Sequence, residues 1–326
     1  MNDFLAYRFP NQQVETCSGS IEEIDSLNNV NGFVFSDFEA RIFYQFKVEN
    51  RGEKPEKYHI YPYTPYVYST REYILQAHSF LNGINQLQLD KAIFSRIKSV
   101  SFPIDKAFDL FESLCETYPK ACVYLISSEY FGTWIGASPE ILMESHNNYI
   151  FTMSLAGTKK TSQKDVAWGE KELNEQDLVT QFIQQQFEIS DVQDVESVGP
   201  YDFEAGPVIH LRTDISGRLE PNKIGELIQQ LHPTPAVSGL PREQALQLIA
   251  SVEAHDRFLY AGILGYISPS QTKLYVNLRC AQLQKDKAYL YLGGGFTPAS
   301  IPEFELDETE NKSKTLLFCI DKVMRK

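Results

Sequence analysis

Apolar positions along this chain recur with two periods, one of two residues and one close to 3.6. Alternation and short apolar runs predict strands at Phe33–Phe35, Ile42–Val48, Leu89–Val100, Ala121–Ser127, Thr133–Gly136 and Tyr149–Leu155. Further strands are predicted at His210–Leu219, Gly262–Ile267, Lys273–Leu283 and Ala288–Leu292. Helical spacing predicts helices over Tyr73–Leu81, Asp105–Tyr118, Lys171–Phe187, Ile224–Leu231, Arg242–Glu253 and Ile301–Val323. The best-defined stripe is Ala107, Phe108, Phe111, Leu114 and Cys115. A polar loop is predicted over Thr158–Gly169, and the first 70 residues read as an outer layer. Strands and helices mix without strict βαβ alternation, and neither a repeat nor a linker divides the chain. The expectation is one large α+β domain over residues 1–326.

Several residues break these patterns in ways that bear on chemistry. Lys91 shares a strand face with Leu89, Ile93 and Ile97, so it either snorkels at an edge or is desolvated as a base. Glu175 precedes Leu178 and Val179 on an apolar helix stripe, which leaves a capping carboxylate or an inward one. Glu305, Glu308 and Lys312 share a face with Leu316 and Cys319 in the last helix. Two acids there either complement the helix dipole in an exposed first turn or bind Mg²⁺, which needs only one or two carboxylates. Arg279 alternates with Tyr275 and Asn277, as a solvated arginine or a carboxylate clamp. Gly293-Gly294-Gly295 follows a predicted strand, as a tight turn or as bare backbone open to an anion. LAGTKKTS lacks P-loop spacing and GxSxG is absent from the sequence, which speaks against nucleotide and nucleophilic-hydrolase readings.

Charge narrows the partners. With 30 Lys and Arg against 43 Asp and Glu, the chain carries −13, which disfavours nucleic acid and anionic lipid surfaces. A small anionic substrate stays open, because local cations or a bound metal can override the mean field. The sequence holds no apolar run approaching the ~18 residues of a membrane span. MNDFLAYRFPNQQ does not read as a secretory leader. Five cysteines without a CxxC pair fit reduced thiols and a cytoplasmic location.

Ten motifs, in order, resemble those of the chorismate-utilising enzymes, the family of isochorismate, salicylate, anthranilate and aminodeoxychorismate synthases. They are DKAIFSR (Asp90–Arg96), IGASPEIL (Ile135–Leu142), SLAGT (Ser154–Thr158), KELNEQDLV (Lys171–Val179) and IHLRTDISG (Ile209–Gly217). The series continues with LHPTPAVSGLP (Leu231–Pro241), EAHDRFLYAGILG (Glu253–Gly265), NLRCA (Asn277–Ala281), LGGGF (Leu292–Phe296) and ELDETENK (Glu305–Lys312). Before Leu89 the resemblance is weak, and that region is expected to be a shortened, divergent part of the same domain. The fold implied is the anthranilate synthase component I-like one: two large antiparallel sheets packed together with helices outside.

The resemblance also assigns roles. Lys91 looks like the base that activates water to attack C2 of chorismate, where the aminating branch typically has glutamine. Glu140 looks like the acid that protonates the departing C4 hydroxyl. A lysine base works neutral and a glutamic acid works protonated, so both require a strongly shifting environment. Ala156 stands where the branch that forms a covalent intermediate has the lysine of PIKGT. Glu175, Glu305 and Glu308 match magnesium carboxylates, and Arg279, Gly293, Gly294, Gly295 and Lys312 match positions that hold the enolpyruvyl carboxylate. His210, Gly157 and Thr158 match ring-side and pocket positions, and His232 reads as structural. Gln176 departs from the family's usual histidine after this glutamate, which is expected to alter metal affinity before chemistry. The implied activity is isochorismate synthase with Mg²⁺ and no obligate protein partner. Salicylate synthase is the nearest alternative; an aminating component and a non-catalytic ligand-binding relative stand further off.

Overall fold

The alternating segments assemble into sixteen strands hydrogen-bonded in one sheet, with every ladder among the described residues antiparallel. The computed structural model describes residues 2–325, apart from 29, 53, 56, 206 and 207. First come β1 (Asp3–Arg8), β2 (Glu15–Ile24), β3 (Gly32–Ser36) and β4 (Phe43–Arg51). Helix α1 (Thr70–Leu87) leads to β5 (Lys91–Ser101), and α2 (Ala107–Thr117) leads to β6 (Cys122–Ser128). Then follow β7 (Gly132–Ser138), β8 (Ile141–His146), β9 (Tyr149–Lys160) and α3 (Glu170–Ile189). A hairpin of β10 (Gln193–Ala205) and β11 (Val208–Arg218) precedes α4 (Ile224–Leu231), β12 (Gly239–Leu240) and α5 (Arg242–Val252). The chain closes through β13 (Ile263–Ser268), β14 (Gln271–Val276), β15 (Cys280–Leu283), β16 (Lys287–Phe296) and α6 (Pro302–Met324).

Strand order is β10-β11-β9-β8-β14-β13-β3-β4-β2-β1-β6-β7-β15-β16-β5-β12. The two packed sheets implied by the family resemblance are therefore the halves of one continuous sheet that folds over on itself. Rings from segments that share no ladder meet across the fold: Phe35 of β3 lies 5.9 Å from Tyr124 of β6, and Phe9, just past β1, lies 5.9 Å from Tyr275 of β14. Leu5, Tyr124 and Ile126 join this inner core, whereas the alternate residues Phe4, Ala6, Val123 and Leu125 pack outward with Phe111, Leu114, Leu316 and Ile320. Both faces of β1 and β6 are thus buried, which is why their sequences read as apolar runs without clean alternation.

Five strands lie outside the sequence expectation: β1, β2, β8, the two-residue β12 and β10. The last is a largely exposed polar edge strand with a register shift between Val198 and Tyr201 that accommodates Pro200. An edge is the place where a sheet tolerates proline. The predicted strand Lys273–Leu283 is corrected to two, β14 and β15, because Arg279 takes a left-handed φ of 50° between them. Gly293–Gly295, expected after a strand, lie inside β16 and pair with Ser95, Phe94 and Ile93. The predicted polar loop begins later than expected, since β9 runs through Lys160 against Val208 of β11.

One buried ion pair ties the strand of Lys91 to the rest of the fold. Glu253 at the end of α5 accepts from the Ser95 amide at 2.6 Å and pairs with Arg257 at 2.7 Å. Arg257 also donates to the carbonyls of Ile93 (2.7 Å) and Val237 (2.8 Å), so the pair holds three pieces of chain together. Burial pushes the Glu253 carboxyl up, but the Arg257 charge outweighs it and holds the group below its ordinary value. Arg257→Met strands that carboxylate and is expected to cost roughly 3–5 kcal/mol in urea unfolding. Adding Glu253→Gln should recover part of the loss. A single-variant cost within about 1 kcal/mol of zero would show that the pair does not anchor β5.

Candidate functional site

Folding the sheet over brings strands from opposite ends of its order to one cavity. Lys91 and Ile93 of β5 and Gly293, Gly294 and Gly295 of β16 line it with Leu155–Thr158 of β9 and His210 of β11. Glu175 of α3 and Glu308 and Lys312 of α6 enter from helices, and Glu140 and Arg279 from strand breaks. Every residue given a catalytic, substrate-binding or metal role from the sequence lines this cavity except Glu305. That residue lies next door, lining a vestibule of about 300 Å³ with Thr158, Lys171, Phe304 and Glu308. Free space in the inner cavity is about 70 Å³.

Lys91 is 3% exposed, and its Nζ lies 3.4 Å from Glu175 Oε1. The snorkelling alternative fails because β12 pairs with β5, setting Leu240 opposite Lys91 and covering what would have been the sheet edge. Glu140 follows β7 in Ser138-Pro139-Glu140. Its carbonyl accepts from the Val276 amide at 3.0 Å, and the Ser138 hydroxyl is bonded to the Val276 carbonyl. Burial pushes the Glu140 carboxyl up to about 7, against the opposing pull of Lys91, Arg279 and Lys312. Near neutral pH it therefore holds a proton part of the time.

Arg279 reaches the cavity from a backbone conformation that L-residues seldom adopt, as site residues sometimes do. Burial first, then the Arg279 charge, pulls His210 down to about 3, so its imidazole is neutral at pH 7. The Gly157 carbonyl, 2.8 Å from Nδ1, can only accept, which assigns the proton to Nδ1. The bare Nε2 then faces Arg279 Nη2 at 3.4 Å, and Thr158 Oγ1 stands 3.2 Å from Nδ1. His210 is thus a neutral support for Arg279. His232, read as structural, bonds the Phe38 carbonyl at 2.9 Å, away from the cavity lining.

On α6, Lys312 pairs with Glu308 at 2.6 Å and donates to the Gly293 carbonyl at 2.9 Å. Burial pushes Glu308 up, but Lys312, Lys171 and Lys91 outweigh it and hold the carboxyl below its ordinary value. Glu305 is raised, by burial and then by the Glu308 charge, with Lys171 opposing from 2.6 Å. Lys171 was missed in the sequence reading, although its place one turn before Glu175 put both on one helix face. Tyr260 was also missed; its hydroxyl would sit 2.6 Å from a Cβ at Gly293. At Gly295 a Cβ would come within 2.6 Å of Glu175 Oε1 and 3.2 Å of Lys91 Cε. At Gly294 nothing comes closer than 3.4 Å.

Among the described residues no group of three or more His, Cys, Asp or Glu stands close enough to hold a metal. Mg²⁺ nonetheless requires fewer protein ligands than that. Two acids one helical turn apart, one raised by burial and its neighbour's charge, are the donor chemistry that a hard cation relieves. The residues fit such an ion.

The Glu140 shift carries a stability consequence with a definite sign. Its folded value, about 7, lies above the ordinary 4.5, so the folded state holds the proton more tightly than the unfolded chain. The stabilisation is complete below about 4.5 and is lost as pH rises through about 7. Glu140→Gln, neutral at every pH, should gain on the wild type by roughly 3 kcal/mol of unfolding free energy between pH 4 and pH 8. Denaturant titrations across that range test it, and a flat difference would mean that Glu140 ionises freely.

Residues 27–321 match the sequence profile of a family described as chorismate binding enzyme. The match begins well before Leu89, where the motifs become legible by eye. Isochorismate synthase EntC of Escherichia coli is 32% identical over 245 residues, 71% of this chain and 62% of that protein. Isochorismate synthase MenF of Bacillus subtilis is 32% identical over 248 residues, 72% of this chain and 52% of that protein. The chain thus matches between half and two thirds of the length of these curated relatives. Among solved structures, a 2,3-dihydroxybenzoate-specific isochorismate synthase, DhbC from Bacillus anthracis, superposes with a TM-score of 0.82. It is 23% identical, over 98% of this chain and 96% of that one. The menaquinone-specific MenF of E. coli superposes with a TM-score of 0.80 at 22% identity, over 98% and 88% of the two chains. Those likenesses establish the fold, and among the described residues no helix is long and apolar enough to cross a membrane. With its profile match running through the strands and helices that build the cavity, the chain belongs to the chorismate-binding enzyme family.

Proposed function

We propose that the chain is an isochorismate synthase, adding water at C2 of chorismate with loss of the C4 hydroxyl. The observation that carries this reading is the pairing of a buried lysine, Lys91, with a carboxylic acid shifted to about 7, Glu140, in one cavity. Lys91, working as the free amine, takes a proton from the attacking water. Glu140, working protonated, gives one to the leaving hydroxyl, and the ring double bonds shift between the two carbons. One water enters and one leaves, so the net change is an isomerisation, and exchange with solvent removes the proton gained by Lys91 and restores the one lost by Glu140. Each proton transfer to a placed side chain contributes about 10²–10⁴ in rate.

Arg279, supported by neutral His210, would hold the enolpyruvyl carboxylate together with Lys312 and the backbone of Gly293–Gly295. Mg²⁺ on Glu175, Glu305 and Glu308 would supply positive charge for the ring carboxylate. Lys91 and Lys312 are already paired with Glu175 and Glu308, so a ring diacid that takes these cations would exchange protein carboxylates for its own. Ala156 lines the cavity without an amine, which disfavours amination through a covalent intermediate. Residues 1–326 would act as one catalytic domain, because β1–β4 are built into the middle of the same sheet.

Chorismate and Mg²⁺ with the purified protein should give isochorismate by chromatography. Salicylate and pyruvate without accumulating isochorismate would overturn this in favour of the sister activity. Product that depends on ammonia would point to amination, and binding without turnover to a ligand-binding relative. Lys91→Ala should lose at least about 100-fold in kcat while calorimetry still detects chorismate binding. Gly295→Ala, which drives a methyl into Glu175 and Lys91, should be far more damaging to kcat than Gly294→Ala. Loss of rate as pH rises through about 7 should accompany ionisation of Glu140.

A further inference from the structure

Two of the charged groups around the site, Lys171 and Glu175, stand on the first turns of α3, where Lys171 is tied to Glu305 of α6 at 2.6 Å. Gly169 provides no side-chain cap, and residues 161–167 before it are exposed. Tight fixation appears at Gln176, which is 3% exposed. Its Nε2 donates to Ser154 Oγ of β9 at 2.9 Å and to Thr213 Oγ1 of β11 at 2.8 Å. Its Oε1 accepts from Thr180 Oγ1 at 2.9 Å, and the Ser154 and Thr180 hydroxyls are 2.7 Å apart.

The protons in this cluster have a consistent direction. Gln176 uses both amide hydrogens, Ser154 accepts one and donates to Thr180, and Thr180 directs its hydrogen back to Gln176, whose side-chain Oε1 stands at 2.9 Å and main-chain carbonyl at 3.0 Å. A closed ring of this kind, buried and satisfied, is directional in a way that apolar packing is not. Val179, Phe182, Ile183 and Phe187 bury the same helix, but a smooth apolar stripe tolerates rotation about the axis. A turn of ~20° would move a side-chain tip by roughly 2 Å at the helix surface.

We propose that Gln176 is a positioning residue: its ring of hydroxyl partners fixes the rotation of α3 so that the adjacent Glu175 enters the cavity. The inference rests on the reading of Glu175 as a magnesium carboxylate. Ser154 and Thr213, on two strands, are part of the device, since each takes one of the two amide hydrogens.

The test uses the full chain with Gln176→Leu, Gln176→His and Ser154→Ala. Histidine can place its Nε2 near the position of the glutamine nitrogen, so it is the conservative replacement. Three quantities are measured: amide hydrogen exchange, Mg²⁺ affinity by calorimetry in the absence of chorismate, and kcat and KM at saturating Mg²⁺. Gln176→Leu should speed exchange at residues 170–178 and leave α6 unchanged. It should weaken Mg²⁺ by about 10-fold or more while KM for chorismate at saturating Mg²⁺ stays within about twofold. Gln176→His should recover most of the affinity. Wild-type Mg²⁺ affinity in Gln176→Leu, or a loss that Gln176→His does not recover, overturns the proposal. If Gln176→Leu does not fold, Ser154→Ala decides by the same exchange and affinity criteria. Glu175→Gln separates the premises: unchanged Mg²⁺ binding there removes the ligand reading of Glu175, whereas the exchange data judge the lock independently. Absence of chorismate turnover in the wild type would remove the proposed activity and leave both binding and exchange readouts standing.

Discussion

The structure depends on a concentration of charge in a place with little water. Four acids, Glu140, Glu175, Glu305 and Glu308, meet four bases, Lys91, Lys171, Arg279 and Lys312, in and beside one cavity. The chain as a whole carries −13, yet this site is close to balanced, so the excess acidity lies elsewhere. With Glu140 protonated and Lys91 counted as the free amine that the proposed mechanism uses, the local sum is zero; a dianion alone makes it −2, a divalent cation alone +2, and the two together return it to zero. Under the proposed reading, metal and substrate therefore belong together electrostatically, because either without the other leaves a larger uncompensated charge in a desolvated site. The same arithmetic explains why the ligand-free site is filled with internal pairs. Each of the four site carboxylates except Glu140 has found a lysine, at 2.6 Å for Glu305 and Glu308 and 3.4 Å for Glu175.

Holding those groups together requires backbone that does unusual things at specific points. The sheet folds over so that β9, near one end of its order, faces β5, near the other. Arg279 leaves its strand in a left-handed conformation, and Gly295 removes the one side-chain carbon that would keep Glu175 from Lys91. Glu253 and Arg257 then fasten the Ile93–Ser95 stretch of β5 from below. These devices serve one end: opposite charges kept within reach, where water would otherwise screen them.

What the sequence revealed and what it hid follow from the same physics. The helix Ile224–Leu231 was read with the bounds it has, because an amphipathic surface helix prints its period directly. β1 was missed because both its faces are buried, and β10 because it is an exposed polar edge. The break at Arg279 left no signal in alternation, since Tyr275, Val276 and Asn277 are all buried whichever way they point. Periodicity flagged Lys91, Glu175, Glu305 and Glu308 as odd but could not choose between surface and site. Family motifs supplied the choice, and burial of Lys91 at 3% and Glu305 at 2% agrees with it. Lys171 lay inside a quoted motif without a stated role, and Gln176 was marked only as a departure from the usual histidine expected to alter metal affinity. Their roles depend on partners more than 20 residues away, Glu305, Ser154 and Thr213, and only the folded chain brings these together.

A site made of internal ion pairs has a built-in conflict between stability and binding. The lysine–carboxylate contacts lower the energy of the ligand-free protein, and a ligand of the proposed kind must exchange each of them for a contact of its own. The exchange is nearly balanced where a carboxylate trades a lysine for a divalent cation, and where a lysine trades a carboxylate of the protein for one of the substrate. Glu140 stands outside this exchange. It has no ion-pair contact among the described residues, burial keeps its proton near neutral pH, and binding an anion beside it would raise that hold further. Under the proposed reading, an acid that stays protonated as a dianionic substrate arrives still carries the proton that the leaving hydroxyl requires.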